Sequence, residues 1–390
     1  MVDLKNWLNQ QRGKGMLRSL RPVIRRGKGR LTLAGDETQE LLDFSSNDYL
    51  ALAEHPALIA AAQEALRRFG AGSGAARLMS GDLALHHELE EAVACLKGKE
   101  AALTFGSGYM ANTGAIPALV GRHDCIFSDR LNHASIHDGC RLSGARLVRF
   151  RHNDLNHLEE LLKEKRGVGT ALIVVESIYS MDGDRCPLRE LAQLKERFGC
   201  LLMVDEAHAT GVFGLQGGGV IEEDGVSGAV DLAMGTFGKA LGSYGAYVAG
   251  NREMIEYLLN RARSFIFSTA LPPAVAAASL AAVRLIGQEP ALRQELHEKI
   301  AYFKALLHKG GYNADLGPSQ IIPILVGESG AALNKAELLK KQGIFATAIR
   351  PPTVPNGTAR LRFSITRHHS PADLAQAAKA ILESLGIERG

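Results

Sequence analysis

Residues 231–247 read DLAMGTFGKALGSYGAY, and the chain is organised around them. An apolar run ending in Thr236 has the look of a strand, and Lys239 follows it among Gly235, Gly238, Gly242 and Gly245. Glycines let another molecule approach the backbone closely. A lysine placed there, at the mouth of a strand, can be desolvated, titrate low and capture a carbonyl as a Schiff base. A solvated loop lysine beside tight turns fits this stretch equally well, so the surrounding chain must decide.

Six further apolar runs lie around it: AALTF (101–105), CIF (125–127), RLVRF (146–150), ALIVV (171–175), LLMV (201–204) and AYVAG (246–250). Helical periodicity fills the gaps, as in Tyr109 to Leu119, Asn156 to Lys165 and Leu188 to Phe198. Strands apolar on both faces, alternating with helices, predict an α/β fold: a mostly parallel seven-stranded sheet covered by helices. Upstream, Leu58, Ala61, Ala62, Ala65 and Leu66 share one helical face. Leu85, Leu89, Ala92, Val93 and Leu96 share another, which Gly98 ends. Residues 1–45 read as an arm helix and a small hairpin (RLTLAG, QELLDF), 46–285 as the large domain, and 286–390 as a smaller C-terminal α+β domain.

Of the 390 residues, 46% are hydrophobic and 22% charged, with 45 basic against 42 acidic side chains. That balance argues against a nucleic-acid or membrane partner. Five cysteines without a CxxC pair suit a reducing compartment and show no metal-site spacing. His86-His87 and His368-His369 lack partners at ligand spacing and read as surface, so no metal is expected. The N-terminus lacks the apolar run of a signal peptide, and the apolar stretch Leu271 to Gly287 is broken by Pro272, Pro273 and Arg284. A cytoplasmic enzyme is the expectation.

Ligands of open α/β sheets bind outside the carboxyl ends of the strands. Those ends offer Gly108 and Tyr109 opening a helix, then His133, Ser180, Asp205 with His208, and Thr236 with Lys239. Together they fit pyridoxal 5'-phosphate. Lys239 is the carbonyl-capturing amine, and Asp205 pairs with the pyridine nitrogen and keeps the ring an electron sink. His208 reaches the phenolic oxygen, and His133 lies against the ring face. Gly108, Tyr109, Ser180 and Thr236 hold the phosphate or orient the ring. Asp205-Glu206 after four apolar residues also resembles a magnesium pair of Walker-B type, but no GxxxxGK[ST] precedes it.

The segments FSSNDYL, SDRLNHASIHDG, ESIYSMDGD, VDEAHATGVFG, GTFGKALGSYGAY, FIFSTALPP and IRPPTVPNGTARLRFSIT, spread over residues 44–366, resemble those of the α-oxoamine synthases. These are fold-type I (aspartate-aminotransferase-like) pyridoxal phosphate acyltransferases. The resemblance implies the roles above for Lys239, Asp205, His208, His133, Ser180, Thr236, Gly108 and Tyr109. It further assigns Arg362 to the amino-acid carboxylate, with Asn47 assisting, His133 to orienting the substrate as well as covering the ring, and Thr353 and Arg21 to the acyl substrate. The closest segments imply condensation of L-alanine with a pimeloyl thioester, on coenzyme A or acyl carrier protein, on the way to biotin. The alternative within the family is glycine with acetyl-CoA. A transaminase and a non-catalytic binding module of the same fold are the other rivals. A homodimer is also implied.

Overall fold

The computed structural model describes residues 3–387. Its contacts divide the chain into two compact units. One comprises Leu52–Ser180 and Asp184–Gln294; the other comprises the N-terminal residues through Ala51, Met181–Gly183 and Glu295 onward.

In the first unit, seven strands form one sheet in the order Ala101–Phe105, Ala246–Gly250, Leu232–Thr236, Leu201–Asp205, Ala171–Glu176, Cys125–Asp129, Arg146–Phe150. Only Ala246–Gly250 runs antiparallel to its neighbours. The expected mostly parallel seven-stranded α/β sheet is therefore present, and three of its strands run one or two residues further than their apolar runs. Those extra residues, Ser128, Asp129, Glu176 and Asp205, are polar yet buried. Helices Gly108–Leu119 and Arg252–Arg261 pack on the sheet through Ala111, Ala115, Ile116, Ile255 and Leu258, against Leu103, Ile126, Leu172, Met203 and Val248.

Helix Ala84–Lys97 ends at Gly98, whose positive φ of 58° is the left-handed cap that glycine adopts without a Cβ clash. Its inward face carries His86, Glu90 and Lys97 as well as Leu89 and Val93. Each buried charge there has a partner: Glu90 accepts from Arg77 in a bidentate pair, and Lys97 donates to Glu206 and the Gly218 carbonyl.

In the second unit, Val23–Gly27, Arg30–Leu33 and Leu41–Asp43 form an antiparallel meander that Ile344–Phe345 extends in parallel. The expected hairpin is its inner pair; Val23–Gly27 was not expected, because its side chains are exposed or half-buried and give no alternation. A second sheet orders Ile321–Gly327, Ala359–Ser364 and Thr347–Ile349, all antiparallel. The run IFATAI thus serves two sheets. The arm packs with C-terminal residues in one unit, and the units meet the chain at 51/52 and 294/295 rather than at 45/46 and 285/286.

The surface reading of two histidines is corrected. His86 is buried and reaches the Leu271 carbonyl at 2.9 Å; His369 is buried and stacks on Phe44 with ring centroids 4.1 Å apart. Four of the five cysteines are buried and Cys95 is exposed. Among the described residues, no helix is long and apolar enough to cross a membrane.

Candidate active site

In the first unit the strand ends bring most of the expected residues together. The Leu201–Asp205 strand delivers Asp205, 5% exposed, with Oδ1 accepting from the Ala207 N–H and Oδ2 from Asn112 Nδ2, both at 2.9 Å. Asn112 also donates to Ser135 Oγ at 2.9 Å, so a fully buried amide fixes the carboxylate. The turn after Asp205 places His208 Nε2 2.8 Å from Lys239 Nζ. A lysine must be neutral to attack a carbonyl, and an imidazole nitrogen at that distance can take its proton.

His133 caps helix Ala134–Ser143: its Nδ1 accepts from the Ser135 N–H and lies 2.7 Å from Ser135 Oγ. Desolvation lowers the His133 pKa; Asp205 opposes the shift and Lys239 reinforces it. These three groups thus feel one another's charge. Ser180 is buried, and its N–H donates to Glu176 Oε2 at 3.2 Å.

Gly108 opens helix Gly108–Leu119 behind the Ser107 cap. A Cβ at Gly108 would lie 2.8 Å from Thr236 Cγ2, so the glycine brings the helix N-terminus against the end of the Leu232–Thr236 strand. Thr236 Oγ1 there is buried without a protein partner. Tyr109 is 49% exposed, and its hydroxyl donates to Asp138 Oδ2 at 2.6 Å.

In the second unit Arg362 is buried on the Ala359–Ser364 strand. It donates to Ser364 Oγ at 2.8 Å, Asn47 Oδ1 at 3.2 Å and the Tyr49 hydroxyl at 3.2 Å. The neighbouring Arg360 pairs with Asp182, and Arg367 with Glu295. Asn47 is therefore the orienting partner of Arg362. Arg21 is exposed and pairs with Glu337 at 2.7 Å, while Thr353 Oγ1 accepts from Arg18 at 3.4 Å.

Three residues of this arrangement were given no role from sequence. Asn112 sits in a helix interior and Ser135 in the first turn of another helix, neither with a local mark. Glu176 stands at a strand end, as Asp205 does, and that position was its one available signal.

The profile of the aminotransferase class I and II family matches residues 39–381. An 8-amino-7-oxononanoate synthase of Geobacter sulfurreducens is 51% identical over 385 residues, covering 98% of this chain and 97% of the relative. One of Pelobacter propionicus is 52% identical over 376 residues, covering 96% and 95%. The chain belongs to the α-oxoamine synthases, a family of fold-type I pyridoxal phosphate enzymes. Solved α-oxoamine synthases share its fold. The serine palmitoyltransferase of Sphingomonas wittichii superposes with a TM-score of 0.92 at 30% identity, covering 98% of this chain and 96% of that one. An 8-amino-7-oxononanoate synthase from Francisella tularensis gives 0.76 at 29% identity, covering 89% and 98%.

The residues present fit the cofactor of the α-oxoamine synthases. A phosphate suits the free N–H groups of the helix opened by Gly108 and the unpartnered Thr236 hydroxyl. A protonated pyridine nitrogen suits the buried Asp205 carboxylate. An aldehyde suits the Lys239 amine beside His208.

Proposed function

We propose that this chain condenses L-alanine with a pimeloyl thioester, releasing CO2 and the thiol and forming 8-amino-7-oxononanoate. The observation that carries this reading is the Lys239, His208 and Asp205 constellation in a chain about half identical, end to end, to enzymes named for that product. Pyridoxal phosphate, when bound, supplies an aldehyde that captures amines and a ring that accepts the electron pair of a bond broken at the α-carbon.

The chain's own residues do the rest. Lys239 would hold the cofactor through its Nζ, and as a free amine it would remove the Cα proton of alanine as a base. Asp205 keeps the ring nitrogen protonated, and Asn112 holds that carboxylate in place. His133 covers the ring and Ser180 orients it. Thr236, Gly108 and Tyr109 serve the phosphate end. Arg362, oriented by Asn47, binds the alanine carboxylate through a two-pronged guanidinium and positions it for loss as CO2. Lys239 returns the proton after decarboxylation. Arg21 and Thr353 contact the acyl substrate, whose carrier is coenzyme A or an acyl carrier protein. The working form is a homodimer, as the family resemblance implies.

The test is amino-acid selectivity. Purified protein with pyridoxal phosphate and pimeloyl-CoA should release thiol with L-alanine and far less with glycine. Preference for glycine with acetyl-CoA would replace this reading with the family's alternative, a 2-amino-3-ketobutyrate CoA ligase.

A further inference from the structure

Glu176 is the buried titratable group beside the site that the mechanism above does not use. It is 3% exposed at the end of the Ala171–Glu176 strand, in register with Asp205 on the adjacent parallel strand. Its Oε1 accepts from the backbone N–H of His133, and its Oε2 accepts from the backbone N–H of Ser180 at 3.2 Å. Those two amides begin or end the segments that carry the ring-covering imidazole and the ring-orienting hydroxyl.

We propose that Glu176 is a positioning residue for the cofactor: its two carboxylate oxygens tie the His133 turn and the Ser180 turn together at the edge of Asp205. This rests on the reading of His133, Ser180 and Asp205 as cofactor residues.

The chemistry of the side chain argues for the role. Two N–H donors, one on each oxygen, call for a group that accepts at both ends, and only a carboxylate does so. A glutamine would turn its NH2 onto one of the two N–H groups. A carboxyl here is costly. Burial pushes its pKa well up, repulsion from Asp205 adds to that, and attraction to Lys239 and the two N–H groups oppose it. The acid thus sits where its geometry and charge bear directly on His133, Asp205 and Lys239. In metal sites, losing a partner that orients a ligating side chain costs about tenfold to a hundredfold in affinity or activity, and an effect of that order is expected here.

The experiment compares wild-type and Glu176→Gln proteins by spectral titration with pyridoxal phosphate and by circular dichroism of the bound cofactor's visible band. That band reports the asymmetry of the ring's surroundings. The expected result is a cofactor Kd at least about tenfold higher and a visible band of clearly reduced amplitude, with the far-ultraviolet spectrum unchanged. A lowered Tm of the apoprotein with unchanged Kd and unchanged visible band would make Glu176 a structural tie only, and would overturn the proposal. Failure of the wild type to bind the cofactor would instead overturn the reading on which it rests.

Discussion

The Lys239 amine lies 2.8 Å from His208 Nε2, at the end of the strand that follows the one carrying Asp205. That contact pairs the group that must lose a proton with one that can receive it. It also gives Lys239 a buried-site partner that an ordinary loop lysine lacks.

Replacing Lys239 with alanine should therefore abolish the visible absorbance of covalently attached cofactor and lower turnover by more than about 100-fold. Absorbance spectra and a thiol-release assay on the purified variant check both. Turnover near the wild-type level would remove Lys239 from the mechanism.

Arg362→Lys keeps the charge but loses the fork that Asn47 orients. KM for L-alanine should rise about tenfold to a hundredfold, the value of one or two charge-assisted hydrogen bonds. KM for the acyl thioester should move much less. Steady-state kinetics with each substrate varied in turn distinguishes the two, and equal rises would argue against a carboxylate role.

Most of the sheet, and the clustering of candidate residues at its strand ends, were legible in the sequence, and for a common reason. A strand buried on both faces announces itself as an apolar run, and the residue types at its carboxyl end stand next to it in the chain. Lys239, Asp205, His208 and Thr236 are found that way. Glu176, Asn112 and Ser135 act through partners 43, 93 and 23 positions away, in contacts that no local pattern records. The same holds for the pairing of Leu41–Asp43 with Ile344–Phe345, which joins the arm to the C-terminal residues. His86 and His369 were misread because a buried histidine bonded to a backbone carbonyl looks, in sequence, like an exposed one.

Lys97 and Glu206 form an ion pair with both side chains fully buried. Lys97→Met removes one charge and leaves the other without its partner in the interior. Stability should fall by about 3–5 kcal/mol, as for other buried pairs broken on one side. Denaturant unfolding, read as a lower midpoint at unchanged slope, checks it. A loss below about 1 kcal/mol would place the pair in the range of solvated surface bridges.

His152 contributes a pH dependence whose sign is set by two carboxylates. Burial alone would lower its pKa, but hydrogen bonds to Asp129 at 3.0 Å and Asp184 at 2.6 Å push it up to about 10. The folded value lies above the unfolded one near 6.5, so this stabilisation is fully present below that pH and is lost as pH rises through about 10. His152→Gln should flatten the alkaline arm of a Tm-against-pH curve. An unchanged alkaline slope would show that the imidazolium is not the group responsible.

The central claim is tested most directly with L-alanine carrying 13C in its carboxyl group, incubated with pimeloyl-CoA and the cofactor-loaded protein. One labelled CO2 should appear for each thiol released, and the condensed product should carry no label. Label retained in the product, or thiol release that does not depend on alanine, would contradict the account.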